Sequence, residues 1–215
     1  MELSEAIRRR RMVRAYDPAR GVPDEVVDLL LQHAIRAPSA GFSQGWDFLV
    51  LRSDDDRDRF WESTREDPDA EPDSWLQGLM TAPLLVVCLS DKDRYLDRYA
   101  EPDKGWTDRD EARWPVPYWD VDTGMAGLMM LLTAVDAGLG SCFFGIPPAA
   151  HAAFRAAFDV PTNRTPVGVV SVGYPAPDRR SPSLRRGRRP VSDVAHDGRF
   201  GVPYRLTEPR AQPTG

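Results

Sequence analysis

Residues 121–140 read VDTGMAGLMMLLTAVDAGLG, a stretch with apolar side chains on nearly every face of a helix. A surface helix keeps one polar side, so a helix without one has to be central and covered by other elements. Gly124 and Gly127 leave room for another element to come close, and Gly138 with Gly140 stops the helix. The run is too short, and too closely flanked by aspartates, to span a bilayer. A chain of 215 residues built around such a helix must cover it with layers of its own.

Shorter runs say what those layers are. PLLVVCLS (83–90) is apolar without alternation, which predicts a strand covered on both faces. DFLVLRS (47–53) and the β-branched TPVGVVSVGYP (165–175) have the length and composition of further strands, and SCFFG (141–145) reads as a short strand or turn. Helices are predicted over 24–36, 54–66 and 148–158, and Ser4 caps a first one that runs into arginines. DPDAEPD (67–73) reads as an exposed loop, and 91–118 as a long irregular connection. The expected class is α+β or α/β, with helices around one sheet. A single domain over 1–200 is expected, with an aromatic insertion at 91–120 and a tail at 201–215.

The formal net charge is -5 at pH 7, yet positive charge gathers at IRRRRMVRAY (7–16) and SLRRGRRP (183–190). Lys92 and Lys104 are the only lysines, so single arginines carry little information and clusters carry more. Arginine suits phosphate because its planar fork donates two parallel, charge-assisted hydrogen bonds and stays charged when buried. Between the clusters, the small-residue turn in APSAGFSQGWDFLVL (37–51) lets backbone approach a flat ring. No P-loop or dinucleotide-binding glycine pattern occurs. The acidic total, without a helix-turn-helix or zinc module, argues against nucleic acid as the partner. Cys88 and Cys142 read as small core side chains, and three scattered histidines predict no metal site. No apolar leader segment is visible at the start, so the cytoplasm is the expected location.

Taken in order, these stretches resemble the FMN-dependent nitroreductase family. The family's Arg-Arg-Ser-x-Arg-x-Phe corresponds to Arg10-Arg11-Met12-Val13-Arg14-Ala15-Tyr16. Its Ala-Pro-Ser-x-x-Asn-x-Gln-Pro-Trp corresponds to Ala37 through Trp46, and its Gly-Leu-Gly helix end to Gly138-Leu139-Gly140. A Gly-Tyr-Pro at Gly173-Tyr174-Pro175 then precedes Arg186-Gly187-Arg188-Arg189-Pro190. The resemblance implies a mainly antiparallel sheet surrounded by helices, with the long helix at a homodimer interface that also holds FMN. It implies that Arg10, Arg11 and Arg14, with Arg186 and Arg188, hold the phosphate and ribityl chain. Pro38, Ser39 and Ala40 would line the isoalloxazine, and Phe143, Phe144 and Gly145 would lay backbone N–H against flavin N5 and O4. Met12 and Gln44 fall within the same motifs and count with the cofactor-binding set.

The implied activity is hydride transfer from NAD(P)H through flavin N5 to a nitroaromatic, quinone or conjugated carbonyl acceptor. Hydride transfer belongs to the cofactor, so no acid–base residue is named. The alternatives are a flavin-dependent dehydrogenase or oxidase of an organic substrate, and a non-catalytic flavin- or deazaflavin-binding protein. Three positions depart from the family: Met12 replaces a hydroxyl, Phe42 an asparagine and Gly45 a proline. The change at 45 implies a looser wall beside the flavin, and Phe42 a more apolar one. Trp114, Tyr118 and Trp119, within the aromatic segment 99–119, join Phe42 as candidate lid or substrate-wall residues. Lys104 and Arg113 in the same segment are read chiefly as surface charges.

Overall fold

The apolar run at 83–90 becomes the centre of the structure because both of its faces are covered. The computed structural model describes residues 1–65, 67, 70–177 and 181–207. It divides into two compact units, Met1–Asp178 and Arg179–Gly215. The first contains α1 (Leu3–Arg9), α2 (Asp24–Ala34), β1 (Trp46–Leu51), α3 (Asp54–Thr64), α4 (Ser74–Met80) and β2 (Leu84–Asp91). It continues with α5 (Lys92–Tyr99), α6 (Tyr118–Asp136), β3 (Gly140–Phe144), α7 (His151–Phe158) and β4 (Arg164–Gly173). The strands form one antiparallel sheet in the order β1-β2-β4-β3, so the fold is α+β.

Along β2 the side chains alternate between two cores. Leu85, Val87 and Leu89 join Phe60, Trp61, Leu79 and Phe154 from α3, α4 and α7. Leu84, Val86 and Cys88 join Leu30, Ala34, Ala126 and Met130 from α2 and α6. A period of two under a continuous apolar run is what a sheet covered on both faces requires. It also puts Cys142 and Cys88 in different cores, with no disulfide between them.

The long helix α6 packs along the sheet and ends as its glycines predict. Gly138 has φ 75°, and the Leu139 N–H returns to the Ala134 carbonyl at 2.7 Å. Gly127 does admit a neighbour, the Phe143 ring, 2.8 Å from where a Cβ would stand. Gly124 does not, because nothing lies within 4 Å of its absent Cβ. The helix is also less enclosed than its sequence implies, since Met125 and Leu128 are exposed.

Three further expectations change. Ser4 lies inside α1 and caps nothing, because Glu5 and Ala6 donate to the Glu2 carbonyl and start the helix earlier. The stretch 91–118 is not irregular at its start: Asp91 caps α5, whose Tyr95 and Leu96 are buried while its charges face outward. Helix α4 follows the acidic loop, with the Asp73 carboxylate accepting from the Leu76 N–H at 2.8 Å. Glu66, the expected end of α3, and residues 68 and 69 of the expected loop lie outside the described residues. So do residues 208–215 of the expected tail. Within the second unit a 3-10 turn (Pro182–Arg186) leads through Gly187 to α8 (Val191–Val194), and His196 bridges Pro203.

Candidate functional site

The arginine run separates at Arg9. Arg9 closes α1 and pairs with Glu5 one turn back at 2.5 Å, a solvated helix contact. Arg10 has φ -55° and ψ 121°, and from there the backbone is extended. It stays extended because β3 offers a free edge: Met12 bridges Ser141 in parallel, and the Val13 N–H donates to the Ser141 carbonyl at 2.9 Å. On the other side, α4 brings Gly78 so close that a Cβ there would fall 2.2 Å from the Arg14 carbonyl oxygen. The arginines thus leave their helix where β3 and α4 come together.

Their side chains differ. Arg10 is half-buried, and its Nη1 is buried with no hydrogen-bond partner among the described residues. Such an N–H is costly unless something accepts from it. Arg11 is exposed, and Arg14 is half-buried with Nη1 3.4 Å from the Met12 carbonyl. Met12 turns inward and its sulfur accepts from the Phe143 N–H at 3.5 Å.

At the end of β3 two phenylalanines take opposite faces. Phe143 fills the space left by Gly127 and Gly168; a Cβ on Gly168 would lie 2.2 Å from its ring. Phe144 stacks on Trp61, with centroids 5.7 Å apart and planes 11° apart, and meets Trp75 edge-on. Phe144, Gly145, Ile146 and Pro147 then form one wall of a cavity of about 340 Å³, closed by residues of α3, α4 and the loop between them. Aromatic walls and this volume suit a flat ring system. Trp61 is 6% exposed, and its Nε1 has no hydrogen-bond partner among the described residues. Of this lining the sequence pointed to Phe144 and Gly145 as cofactor residues, and to Phe60 and Trp61 only as apolar anchors of a charged helix. The available signal for the rest was a pair of tryptophans, Trp61 and Trp75, flanking the acidic loop.

The second group of predicted residues belongs to the opposite edge strand. Pro38 is exposed, and the loop that follows enters β1 at Trp46. Gly41, Phe42 and Gln44 have φ of 62°, 56° and 51°, and the two non-glycines hold this left-handed geometry at a cost of about 1–2 kcal/mol each. The Ala40 N–H donates to Asp122 Oδ2 at 2.8 Å, the Gln44 N–H to Ser39 Oγ at 2.7 Å, and Arg98 Nε to the Gly41 carbonyl at 3.0 Å. The Tyr95 hydroxyl also donates to Asp122 Oδ2 at 2.8 Å. Burial, reinforced by that carboxylate, pushes the Tyr95 phenol above its ordinary range. Phe42 is left 77% exposed.

The aromatic segment packs beside this loop. Trp114 meets Tyr95, Tyr99, Trp106, Tyr118 and Trp119 at centroid distances of 4.6 to 5.9 Å. Trp119 is buried in the first turn of α6, where packing accounts for it, whereas Tyr118 is exposed. Arg113 pairs with Asp108 at 2.9 Å, and Lys104 lies 5.1 Å from the Tyr99 ring centre, so both charges are engaged within the segment. In the second unit, Arg186 and Arg188 are exposed on either side of Gly187, whose φ is 67°.

Comparison with known proteins gives a consistent picture. The model of the Nitroreductase family matches residues 7–174. A protein of Methanothermobacter thermautotrophicus, provisionally named NADH dehydrogenase/NAD(P)H nitroreductase, is 27% identical over 179 residues, covering 82% of this chain and 78% of the relative. A protein of the same provisional name from Archaeoglobus fulgidus is 28% identical over 180 residues, covering 83% and 88%. Among solved structures, a provisionally named nitroreductase from Desulfovibrio desulfuricans, in complex with FMN, superposes with a TM-score of 0.68. It is 25% identical and covers 93% of this chain and 98% of its own.

Proposed function

The chain belongs to the nitroreductase family, and from that premise we propose that it is an FMN-dependent oxidoreductase working as a homodimer. The proposed donor is NADH or NADPH, and the proposed acceptor a nitroaromatic, quinone or conjugated carbonyl compound. The relatives named for NAD(P)H nitroreductase activity and the FMN-bound structural neighbour support the class. The observation that carries the reading is the buried Nη1 of Arg10, without a hydrogen-bond partner among the described residues, on a segment that shares β3 and α4 with an aromatic cavity. A phosphate oxygen is the kind of acceptor that a buried guanidinium N–H lacks, and a flat ring is what the cavity's walls admit.

When bound, FMN supplies the hydride chemistry, and the protein's part is to hold, orient and enclose. Arg10, Arg11 and Arg14 would neutralise the phosphate, and the resemblance adds Arg186 and Arg188. The backbone of Phe144 and Gly145 would present N–H groups to the ring, the Phe143 N–H being taken by the Met12 sulfur, with Phe144 and Trp61 keeping water from its back. Pro38, Ser39, Ala40 and Gln44 would come from the other protomer, because within one chain their loop is attached to the opposite edge of the sheet. Phe42 and Tyr118, both exposed, would border the acceptor.

A homodimer also accounts for exposed apolar side chains on two helices in contact, Leu3 and Ile7 on α1 with Met125 and Leu128 on α6. No helix among the described residues is long and apolar enough to cross a membrane, and a cytoplasmic location is part of the proposal. The test is reconstitution: protein incubated with FMN and then desalted should retain one flavin per protomer and oxidise NADH or NADPH when an acceptor is added. Protein that emerges colourless would refute the cofactor assignment.

A further inference from the structure

We propose that Asp122 and Tyr95 are positioning residues that lock the loop 39–44, with its left-handed Gly41, Phe42 and Gln44, and so fix the surface this loop offers to the flavin. The proposal rests on the reading that Pro38, Ser39 and Ala40 line the ring.

Asp122 stands on α6 with 3% of its surface exposed and makes no ion pair among the described residues. Asp91, as deeply buried, pairs with Arg164 at 2.8 Å. A buried carboxylate without a cation persists only where hydrogen bonds compensate its lost hydration. Both donors to Asp122 Oδ2 serve the loop: the Ala40 N–H directly and the Tyr95 hydroxyl indirectly, each at 2.8 Å. The Tyr95 oxygen is also 3.3 Å from Ser39 Oγ, the atom that accepts the Gln44 N–H. Packing the helix against the sheet requires none of these bonds, and a leucine at 122 would suit so apolar a helix better.

Gly45 shows the same fit from the loop's side. A Cβ at this position would fall 2.5 Å from the Tyr95 ring and 2.5 Å from the Asp91 carbonyl oxygen. The glycine that replaces the family's proline is therefore where Tyr95 closes on the loop, and contact takes over the stiffening that a proline ring would give. Trp114 and Trp119 meet Tyr95 edge-on at 5.9 and 6.2 Å and hold its ring in place. The consequence is Phe42, presented to solvent with φ 56° instead of folding back.

The test compares Asp122→Leu, Asp122→Asn and Tyr95→Phe with wild type in three measurements. These are amide exchange at Ala40 and Gln44, FMN affinity by fluorescence quenching, and the midpoint potential of the bound flavin. Asp122→Leu and Tyr95→Phe should each speed exchange at these two amides, raise the FMN Kd by about tenfold and shift the potential. Asp122→Asn, which keeps a carbonyl acceptor, should recover most of each loss. If the variants lower only the unfolding temperature, with local exchange, Kd and potential as in wild type, the role is purely structural and the proposal is overturned. If wild-type protein binds no FMN, the flavin reading fails separately, and exchange in the flavin-free protein still decides whether the lock exists. Tyr95→Phe removes one hydroxyl from a packed ring and carries the test should Asp122→Leu not fold.

Discussion

Arg10 is the residue whose surroundings most directly ask for a partner. Its buried Nη1 makes no hydrogen bond within the described protein, so its removal should cost the flavin-free fold little. Arg10→Ala is expected to raise the FMN Kd by about tenfold or more while leaving the flavin-free unfolding temperature unchanged, as a charge-assisted bond to a ligand predicts. Paired fluorescence titration and thermal melts check both halves; a lower melting point with unaltered affinity would make the residue structural. Met12, the departure that sequence alone left open, serves β3: its sulfur takes the Phe143 N–H. Cys88 carries a pH dependence. Burial pushes its thiol from an ordinary 9.0 up to about 12, so above pH 9 the unfolded chain releases a proton that the folded chain retains. Stability should be complete below pH 9 and fall as pH rises from 9 toward 12, by up to about 1.4 kcal/mol per unit. The Tyr95 phenol acts in the same direction. Urea melts from pH 8 to 11 should show this decline, less steeply in Cys88→Ala, and equal slopes would contradict it.

At the scale of elements, helix α4 and the arginine segment form one unit of packing. Helix propensity alone predicts that Gly78→Ala stabilises the protein by up to about 1 kcal/mol. The Arg14 carbonyl, 2.2 Å from the new Cβ, predicts the reverse, because backbone cannot yield as a side-chain end can. We expect Gly78→Ala to lower the unfolding temperature and weaken FMN binding together, measured on one preparation; a rise in both would overturn the packing argument. The sequence showed most of the elements, α2, α3, α7, β1 and β3 among them, and most plainly those whose pattern is dominated by burial: α6, β2 and β4. Those it missed, α4 and α5, are short and charged. KDRYLDRY hides its buried side, Tyr95 and Leu96, among five ionic residues, and α4 has only seven positions in which to display a period. The candidate site was legible in the same uneven way. Motif spacing pointed to Arg10, Ala40 and Phe144, which lie within the motifs themselves. Asp122 and Tyr95 were invisible because their partners are 82 and 56 positions away in the chain.

At the scale of the whole molecule, the two groups of candidate site residues are attached to opposite edge strands of one sheet, and the proposed dimer would unite them. Leu128 is 47% exposed on α6, so Leu128→Glu should leave the protomer folded, since the side chain lies outside both cores. Sedimentation should then show a monomer with little FMN retained, whereas a dimer of normal flavin content would remove α6 from the interface. The central claim, that the protein takes electrons from a nicotinamide onto bound FMN and delivers them to an organic acceptor, is tested most directly by anaerobic spectral titration. Added NADH or NADPH should bleach the oxidised flavin absorbance, and a nitroaromatic, quinone or conjugated carbonyl compound should restore it. A flavin that dithionite reduces, but that stays oxidised under excess of both nicotinamides, would contradict the account.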